Sequence, residues 1–388
     1  MGRAVLPDFD EYHREILPAR CVTALGRQAA ADVCGVPAIA FRLLDGRAYR
    51  FTERDGAIRI EPGADAPTVV ALDLRAWADF ATEMASGAGL LYGGRATFVA
   101  GTPADLERWE PALRALLQER PFFDPGSFRP CDRSGAPLDL GRRFTLAEPA
   151  DEMRQFLDVA GFLHVRGVLA ADEIDALRAR VAAQAARAEP DDGTSWWAVR
   201  RDGARVLCRL IYLGLRVPEI AALSDDARVL RIVSLGAVPV RCALDRADGH
   251  SVVIKNPEVA AGLSDLPWHR DCGLGGHPVT CPTLNVGIQL DAASAASGRL
   301  HFLPGSHRGS VHRALLARPG LPVRAIDTEP GDVTVHVGCV LHASPPPEGF
   351  GPGRRALYLS FMPAPAFDVI TPGASYNDVV RTGIANAR

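Results

Sequence analysis

The chain has 388 residues, 47% of them apolar and 23% charged, which is a globular composition and enough sequence for more than one domain. The net charge of −3 argues against nucleic acid or an anionic membrane surface as a partner. The sequence has no basic-then-apolar leader and no run of about 18 apolar residues, so we expect neither secretion nor a membrane span. The eight cysteines are scattered without C-x-x-C spacing, which predicts reduced thiols in a cytoplasmic protein.

Residues 1–118 alternate between strand-like and helix-like patterns, which predicts an α+β domain. Turn residues at 45–46 separate two strand-like runs, as in a hairpin. The predicted order is helix, four strands, helix, strand and helix, over residues 19–33, 38–44, 48–51, 57–61, 68–72, 74–85, 96–100 and 103–117.

Two short stretches of this region carry a resemblance. D-L-x-x-W at 73–77 opens a predicted helix, and Y-G-G-R-A-x-F at 92–98 leads into a predicted strand. With the order of elements, they resemble the sterol-carrier-protein type 2 fold, which encloses an apolar tunnel for lipids. The resemblance implies that residues 1–118 bind or deliver a lipid. The alternative is a module that supports the rest of the chain or forms a homodimer contact, because a fold alone does not imply a function.

Residues 119–148 are rich in Pro, Gly, Arg and Asp and have no clear periodicity, which predicts a linker. A second domain at 149–388 then begins with a helix at 149–159, a strand at 162–165 and an Ala-rich helix at 171–188. We therefore expect two domains joined by a flexible segment.

A histidine and an aspartate two residues apart carry the main chemical signal of the chain. On an extended segment the side chains of His269 and Asp271 leave the same face, so both can reach one metal ion. They supply two thirds of the two-histidine, one-carboxylate facial triad of non-haem Fe(II). A β-branched run downstream ends at His342, which we predict as the third ligand. The pattern alone is weak, since His13 and Glu15 read H-x-E in a helix-like segment.

Further patterns accompany this H-x-D. Residues 284–307 contain L-x-V-x-I-x-L-D and then G-x-L-x-x-L-P-G-S-H, and residues 331–355 contain G-D, H-x-S and R in that order. Together they resemble the phytanoyl-CoA dioxygenase family of Fe(II)- and 2-oxoglutarate-dependent oxygenases. The resemblance implies a double-stranded β-helix, a cupin-like jelly roll with flanking helices and the metal between its sheets. It also implies Fe(II), 2-oxoglutarate and O2 as the cofactors.

One predicted strand has an apolar face and a second face formed by Thr283, Asn285, Gly287 and Gln289. A solvated outer face is the simplest interpretation of the second set, but the family position places it in the pocket. There we expect Thr283 to contact the co-substrate and the other three to contact substrate, with Gly287 leaving room for a bulky molecule. Trp197 is a further candidate for the substrate wall, although core packing is the more usual role of such a residue.

The distal carboxylate of 2-oxoglutarate needs a fixed cation, and a guanidinium group binds a carboxylate through two hydrogen bonds. Arg354 and Arg355 compete for that role. On a strand they leave opposite faces, and the apolar residues that share the face of Arg355 would pack outward, so we predict that Arg354 points inward. The family pattern implies that Ser344 helps to bind the same carboxylate, and it makes Lys255 a weaker candidate.

A second histidine lies in the same β-branched run. His336 shares a face with His342, but six extended residues would place the two about 20 Å apart. We therefore expect His336 to be a buried structural histidine, unless Gly338 introduces a bulge. The predicted metal set remains His269, Asp271 and His342.

The resemblance implies hydroxylation of an apolar small molecule, such as a lipid, a terpenoid or a natural-product intermediate, with release of succinate and CO2. Asp271 favours hydroxylation over halogenation, because halogenating relatives lack this carboxylate, whereas desaturation and rearrangement use the same ligands. Two other classes stay open: a lipid-transfer protein with a non-catalytic oxygenase-like domain, and a zinc hydrolase on the same three ligands. The intact ligand set argues against the first class and a downstream arginine against the second.

Overall fold

The computed structural model describes residues 8–261, 266–273, 278–311, 320–348 and 353–373. Its first part is a five-stranded sheet in the order β3-β2-β1-β4-β5 with helices packed on it. The strands are β1 (Ile39–Leu43), β2 (Ala48–Arg54), β3 (Ala57–Pro62), β4 (Thr68–Leu72) and β5 (Ala96–Ala100). The helices are α1 (Phe9–Glu11), α2 (Leu17–Cys21), α3 (Ala24–Asp32), α4 (Leu74–Ala81), α5 (Gly87–Tyr92) and α6 (Pro103–Gln118), with a π-helical turn at Tyr12–Ile16.

The sheet is mixed, because β1 and β4 run parallel while its other neighbouring pairs run antiparallel. The helix predicted over 19–33 is broken, because the side chain of Thr23 accepts a hydrogen bond from Gly26 N (3.0 Å) and caps α3 as a separate helix. The helix predicted over 74–85 ends at Ala81. Glu83 then adopts a left-handed conformation with φ of 58°, and the chain turns into α5.

Aromatic rings fill the interior of this first part. Trp77 and Trp109 are among the largest fully buried side chains, and the ring of Phe41 lies 5.1 Å from that of Trp77. His13 stacks on Tyr49 at 4.4 Å, and burial lowers the pKa of His13 to about 4. The H-x-E at 13–15 therefore contributes a neutral histidine to the core.

Residues 119–148 lie against the second part of the chain. The backbone of Phe122 forms an isolated β-bridge with Ser310, and that of Phe144 forms another with Val165. The ring of Phe128 covers Gly305, where a Cβ atom would lie 2.5 Å from the ring. The segment expected to be a flexible tether is thus packed along its neighbour.

The second part contains a large and a small sheet. The large sheet has the order β11-β7-β8-β10-β18-β13-β16-β6, with β9 paired to β18, and the small sheet has the order β12-β17-β14-β15. The strands are β6 (Phe162–Val165), β7 (Ser195–Arg200), β8 (Arg205–Leu210), β9 (Arg241–Cys242), β10 (Ser251–Lys255), β11 (Val259–Ala261), β12 (Leu266–His269), β13 (Leu284–Gln289), β14 (Leu300–Phe302), β15 (Arg324–Ile326), β16 (Val333–Val337), β17 (His342–Ser344) and β18 (Arg354–Met362). Phe302 of β14 stacks on Phe162 of β6 with ring centroids 4.6 Å apart, so the sheets face each other as in the expected jelly roll.

Helices flank the large sheet. Their bounds are α7 (Ala150–Ala160), α8 (Ala171–Ala185), α9 (Pro218–Ala221), α10 (Ala227–Val233) and α11 (Ala366–Val369). Phe156 of α7, Ile174 of α8 and Ile232 of α10 join one buried cluster with the apolar face of β13, which includes Val286 and Ile288. Among the described residues, no helix is long and apolar enough to cross a membrane.

Candidate active site

The three predicted ligands come from neighbouring strands of the small sheet. His269 ends β12 and is paired across the antiparallel ladder with His342, the first residue of β17. Asp271 follows β12 in a turn, where its N–H and that of Cys272 both donate to Gly338 O, at 2.9 and 3.2 Å. The strand pairing and this turn bring the three side chains together.

Their geometry fits a single metal ion. One donor atom from each of the three side chains lies within 4.8 Å of the others. His269 Nε2 is 3.5 Å from Asp271 Oδ1, and His342 Nε2 is 3.7 Å from Asp271 Oδ2. The Nδ1 atoms of the two histidines face the carbonyl oxygens of Pro267 (2.7 Å) and Val340 (3.1 Å), so Nε2 of each ring faces the centre. Two imidazoles and one carboxylate are the donor set that suits non-haem Fe(II).

The electrostatics of the group also suit a cation. Burial lowers the pKa of His342 to about 3, so this ring is neutral near pH 7. Burial alone would raise the pKa of Asp271, but the interactions of its carboxylate with His342, His269 and His336 outweigh burial and hold that pKa well below its usual range. A neutral imidazole and an ionised carboxylate are the forms that bind a metal.

The second oxygen of Asp271 is held by the large sheet. Asn285 Nδ2 of β13 donates a hydrogen bond to Asp271 Oδ2, and His336 Nε2 of β16 lies 3.0 Å from the same oxygen. Ser360 Oγ of β18 in turn donates to Asn285 Oδ1 at 2.8 Å. Asn285, which we predicted as a substrate contact, thus fixes the carboxylate, and Oδ1 is left to face His269.

His336 is much closer to the site than the extended-strand estimate of about 20 Å suggested. The chain reverses between β16 and β17, because Val340 N donates to Val337 O at 3.0 Å. The ring centroids of His336 and His342 are therefore only 4.5 Å apart. The estimate was wrong because it assumed one continuous strand, whereas a turn at Gly338 carries the chain from one sheet to the other.

The two arginines lie as their alternation predicts. Arg354 is 2% exposed, and its guanidinium group donates to Gly298 O (3.0 and 2.8 Å) and to Ser344 Oγ (3.0 Å). Arg355 points the other way and forms a two-armed ion pair with Asp291, at 2.8 and 3.0 Å. Arg354 is the inward residue of the pair.

Residues 157–355 match the family model of phytanoyl-CoA dioxygenase, and this range is just over half of the chain. The chain belongs to the phytanoyl-CoA dioxygenase family. It is therefore a non-haem iron oxygenase that depends on 2-oxoglutarate and uses Fe(II) and O2, as the sequence predicted. No curated protein is significantly similar to it.

Several solved structures resemble the chain in part. AviO1 from Streptomyces viridochromogenes Tue57 is 27% identical over 56% of this chain and 96% of its own, with a TM-score of 0.47. The epimerase SnoN, solved in complex with Fe3+, alpha ketoglutarate and nogalamycin RO, is 19% identical over 55% and 84%, with a TM-score of 0.44. EctD from S. alaskensis, solved with 2-oxoglutarate and 5-hydroxyectoine, is 17% identical over 64% and 83%, with a TM-score of 0.46.

A cavity of about 100 Å³ lies at the triad of this dioxygenase. Its wall includes Thr283 and Ser344, two of the four predicted co-substrate residues, together with the triad. Lys255 is fully buried beside it, and its ammonium group donates to the carbonyl oxygens of Ser344 and Pro345. Three of the four predicted co-substrate residues therefore meet, because Arg354 and Lys255 both contact Ser344.

Three of the predicted substrate residues do not line the cavity. A Cβ atom at Gly287 would lie 2.9 Å from both Thr334 Oγ1 and a ring carbon of Tyr358, so no room for a bulky substrate exists there and that prediction was wrong. Gln289 is 1% exposed and donates to Gly287 O and Thr334 Oγ1, at 3.2 and 3.3 Å. Trp197 donates to Ser195 Oγ at 2.9 Å and is not in the wall of the cavity.

Sequence reasoning missed Arg209, which lines the cavity from β8. Its guanidinium group pairs with the buried Asp248 at 2.9 Å and lies 4.9 Å from the ring of Trp196. No motif surrounds Arg209 in the sequence, so only its partners in space reveal it. Tyr358 and Ser360, by contrast, share the strand face of Arg354, and that alternation could have predicted them as lining residues.

The first part of the chain contacts the turn that carries Asp271. Ser86 N and Ser86 Oγ both donate to Gly273 O at 3.0 Å. Gly89 packs so closely that a Cβ atom there would overlap Gly273 O. Glu83 O accepts a hydrogen bond from Val279 N at 2.6 Å. The N-terminal module is therefore in direct contact with the turn that carries Asp271.

Replacing Gly89 by alanine is expected to lower the free energy of unfolding by about 1 to 3 kcal/mol, because the added methyl group overpacks the contact with Gly273. Alanine is otherwise favoured over glycine in a helix, so a loss of stability would come from this contact. Thermal melting with and without Fe(II), and an Fe(II) titration, measure the effect. Gly93→Ala, at the C-cap of the same helix, is the control, since a Cβ there would lie 3.0 Å from Gly89 O and touch no part of the turn. A Gly89→Ala protein with parental stability and iron affinity would contradict the expectation.

Proposed function

We propose that His269, Asp271 and His342 hold the Fe(II) of this oxygenase. The observation that carries the proposal is the convergence of three donor atoms within 4.8 Å, from strands paired at His269 and His342. Because Asn285 and His336 already contact Asp271 Oδ2, the carboxylate would bind the metal through Oδ1. Fe(II) with 2-oxoglutarate and O2 would supply the oxidation of an unactivated C–H bond, with release of succinate and CO2.

We further propose that Arg354 and Ser344 bind the distal carboxylate of 2-oxoglutarate. A buried guanidinium group beside a hydroxyl group offers the fork that a carboxylate prefers, and both side chains already meet at 3.0 Å. Lys255 supports this corner from behind through the carbonyl oxygens of Ser344 and Pro345. Thr283, which lines the same cavity, would contact the co-substrate near the metal.

The proposed reaction is hydroxylation of a small organic molecule, with a lipid, a terpenoid or a natural-product intermediate as the substrate class. Apolar side chains line part of the cavity and support an apolar portion of the substrate; they are Ala247, Val253, Leu266, Leu300 and Met362. Arg209, Ser251 and Tyr358 add polar groups that would orient it. The protein's own tasks would be to position one C–H bond and to exclude water.

For the N-terminal module we propose the sterol-carrier-like fold, which its strand and helix order supports. Two roles follow from the sequence, lipid delivery and structural support. The aromatic filling of its interior around Trp77 and Trp109 and its contact with Gly273 favour support. We also propose a cytoplasmic location, in keeping with the absence of disulfides among the eight cysteines. A homodimer remains a prediction.

The test uses the purified full-length protein. Loaded anaerobically with Fe(II), it is expected to bind one metal ion per chain and, with 2-oxoglutarate and O2, to release succinate slowly without any substrate. Compounds from the three substrate classes are then screened for faster succinate release, with the product identified by mass spectrometry. Iron binding without succinate release under any condition would contradict the proposed function.

A further inference from the structure

Three cysteine side chains lie close together beside the turn that carries Asp271. Cys272 follows the ligand Asp271 in sequence, and Cys281 lies just before β13. Cys339 lies in the turn that leads to His342. The three sulfur atoms come from separate stretches of sequence, and the fold of the metal site brings them together.

Two of these sulfurs are close enough to react with each other. Cys272 Sγ and Cys281 Sγ are 3.1 Å apart, and the two residues are 3% and 5% exposed. Gly338 lies against Cys272, where a Cβ atom would overlap the sulfur, so Cys272 is held from that side. A disulfide has an S–S distance of about 2.0 Å, so closure needs a movement of only about 1 Å.

A second cavity brings a small oxidant close to the pair. Cys339, whose Sγ is 3.5 Å from Cys281 O, lines a second cavity of about 530 Å³. Thr280 and Pro282, the neighbours of Cys281, line the same cavity. The exposed side chains of Arg133 and Asp158 also border it, so the cavity reaches solvent.

We propose that Cys272 and Cys281 form a reversible disulfide when the protein meets a peroxide. The two thiols lose two hydrogen atoms and two electrons, one S–S bond forms, and one molecule of hydrogen peroxide is reduced to two molecules of water. A dithiol reductant reverses the step by thiol–disulfide exchange.

The disulfide acts on the metal site through the backbone. Asp271 N and Cys272 N both donate to Gly338 O, so a shift of Cys272 toward Cys281 strains the anchor of Asp271. Displacing a group that orients a metal ligand weakens metal binding by about tenfold or more. The oxidised protein therefore binds Fe(II) less tightly and turns over less 2-oxoglutarate.

The experiment treats the metal-free, full-length protein with hydrogen peroxide, removes the peroxide with catalase, alkylates remaining thiols and digests without reductant. Trypsin cuts after Arg270 and Arg299, so Cys272 and Cys281 share the peptide 271–299, while Cys339 lies in the peptide 325–354. The expected product is peptide 271–299, two hydrogens lighter and not alkylated, which a dithiol returns to the alkylatable form. In parallel, the treated protein is reloaded with Fe(II), and its succinate release is expected to fall about tenfold and to recover with the dithiol.

The matched variants are Cys281→Ser and Cys208→Ser. Serine at 281 keeps a hydroxyl group beside Thr283 Oγ1, which lies 2.6 Å from the sulfur, and should keep basal turnover while losing peroxide sensitivity. Cys208, a buried cysteine whose thiol donates to Trp196 O, is outside the cluster, and its variant should stay sensitive. The proposal is overturned if peptide 271–299 of the peroxide-treated protein stays fully alkylatable, or if it is cross-linked to peptide 325–354 instead. It is also overturned if peroxide lowers the turnover of the Cys281→Ser protein as much as that of the parent. The peptide result does not depend on iron, so it also stands if the variant folds poorly or the proposed function fails.

Discussion

Replacing Asp271 by alanine is expected to abolish 2-oxoglutarate turnover in chloride-free buffer and to weaken Fe(II) binding by at least about a hundredfold. The carboxylate supplies one of three donors and the only negative charge among the proposed ligands. Its loss would also leave Asn285 Nδ2 and His336 Nε2 without their acceptor. Isothermal titration with Fe(II) under anaerobic conditions and a succinate assay measure the two effects. Chloride is excluded because a halide could enter the vacated position.

Two variants separate the ligand role from general damage. Asp271→Asn keeps the shape of the side chain but loses its charge, so it should fold like the parent and still lose iron. Glu15→Ala removes the carboxylate of the other H-x-[DE] pattern, which lies in the N-terminal helical segment, and should change neither quantity. Full turnover by the Asp271→Ala protein would remove Asp271 from the metal site.

Replacing Arg354 by alanine is expected to raise the dissociation constant for 2-oxoglutarate by about a hundredfold or more. Loss of the buried partner of a carboxylate costs about 3 to 5 kcal/mol, and each 1.4 kcal/mol is about tenfold in affinity. Arg354→Lys keeps the charge but not the fork, so it should rescue only part of the loss. Binding is followed by titrating 2-oxoglutarate into the Fe(II)-loaded protein without O2.

Arg355→Ala is the matched control one residue away. It removes the ion pair with Asp291 on the outer face, so it should lower the melting temperature slightly and leave 2-oxoglutarate affinity unchanged. If Arg355→Ala has the larger effect on affinity, the proposed inward role of Arg354 is wrong.

The local parts of the site were predictable from the sequence because they depend on alternation along a strand. The choice between Arg354 and Arg355 needed only the two-residue period. The H-x-D spacing marked His269 and Asp271, but Asp271 lies in a turn after β12, and that turn also brings the two side chains together. The features that were missed depend on a change of direction or on long-range packing. The approach of His336 to His342 needs the turn at Gly338, and the filled space beside Gly287 needs two neighbouring strands. Neither of these two features produces a periodic pattern in the sequence.

The same limit explains the two helix errors and the contact between the two parts of the chain. A helical period continued past Thr23 and past Ala81, but a capping hydroxyl and a left-handed Glu83 ended the helices locally. The contact of Ser86 with Gly273 joins residues far apart in sequence, and no motif marks either of them. The jelly roll and the cofactors were predicted from the family resemblance, and the match of residues 157–355 to the family model supports that resemblance.

The contact at Gly273 also has a consequence for how the chain is made. The N-terminal module is synthesised before the second part of the chain, and it has its own hydrophobic core. It can therefore fold before residues 266–273 are translated. The folded surface around Ser86 is then available to bind the turn at Gly273 as that turn forms. Substitutions in the hydrophobic core of the module would then lower the amount of iron that the newly made protein binds, although they lie far from the proposed metal ligands.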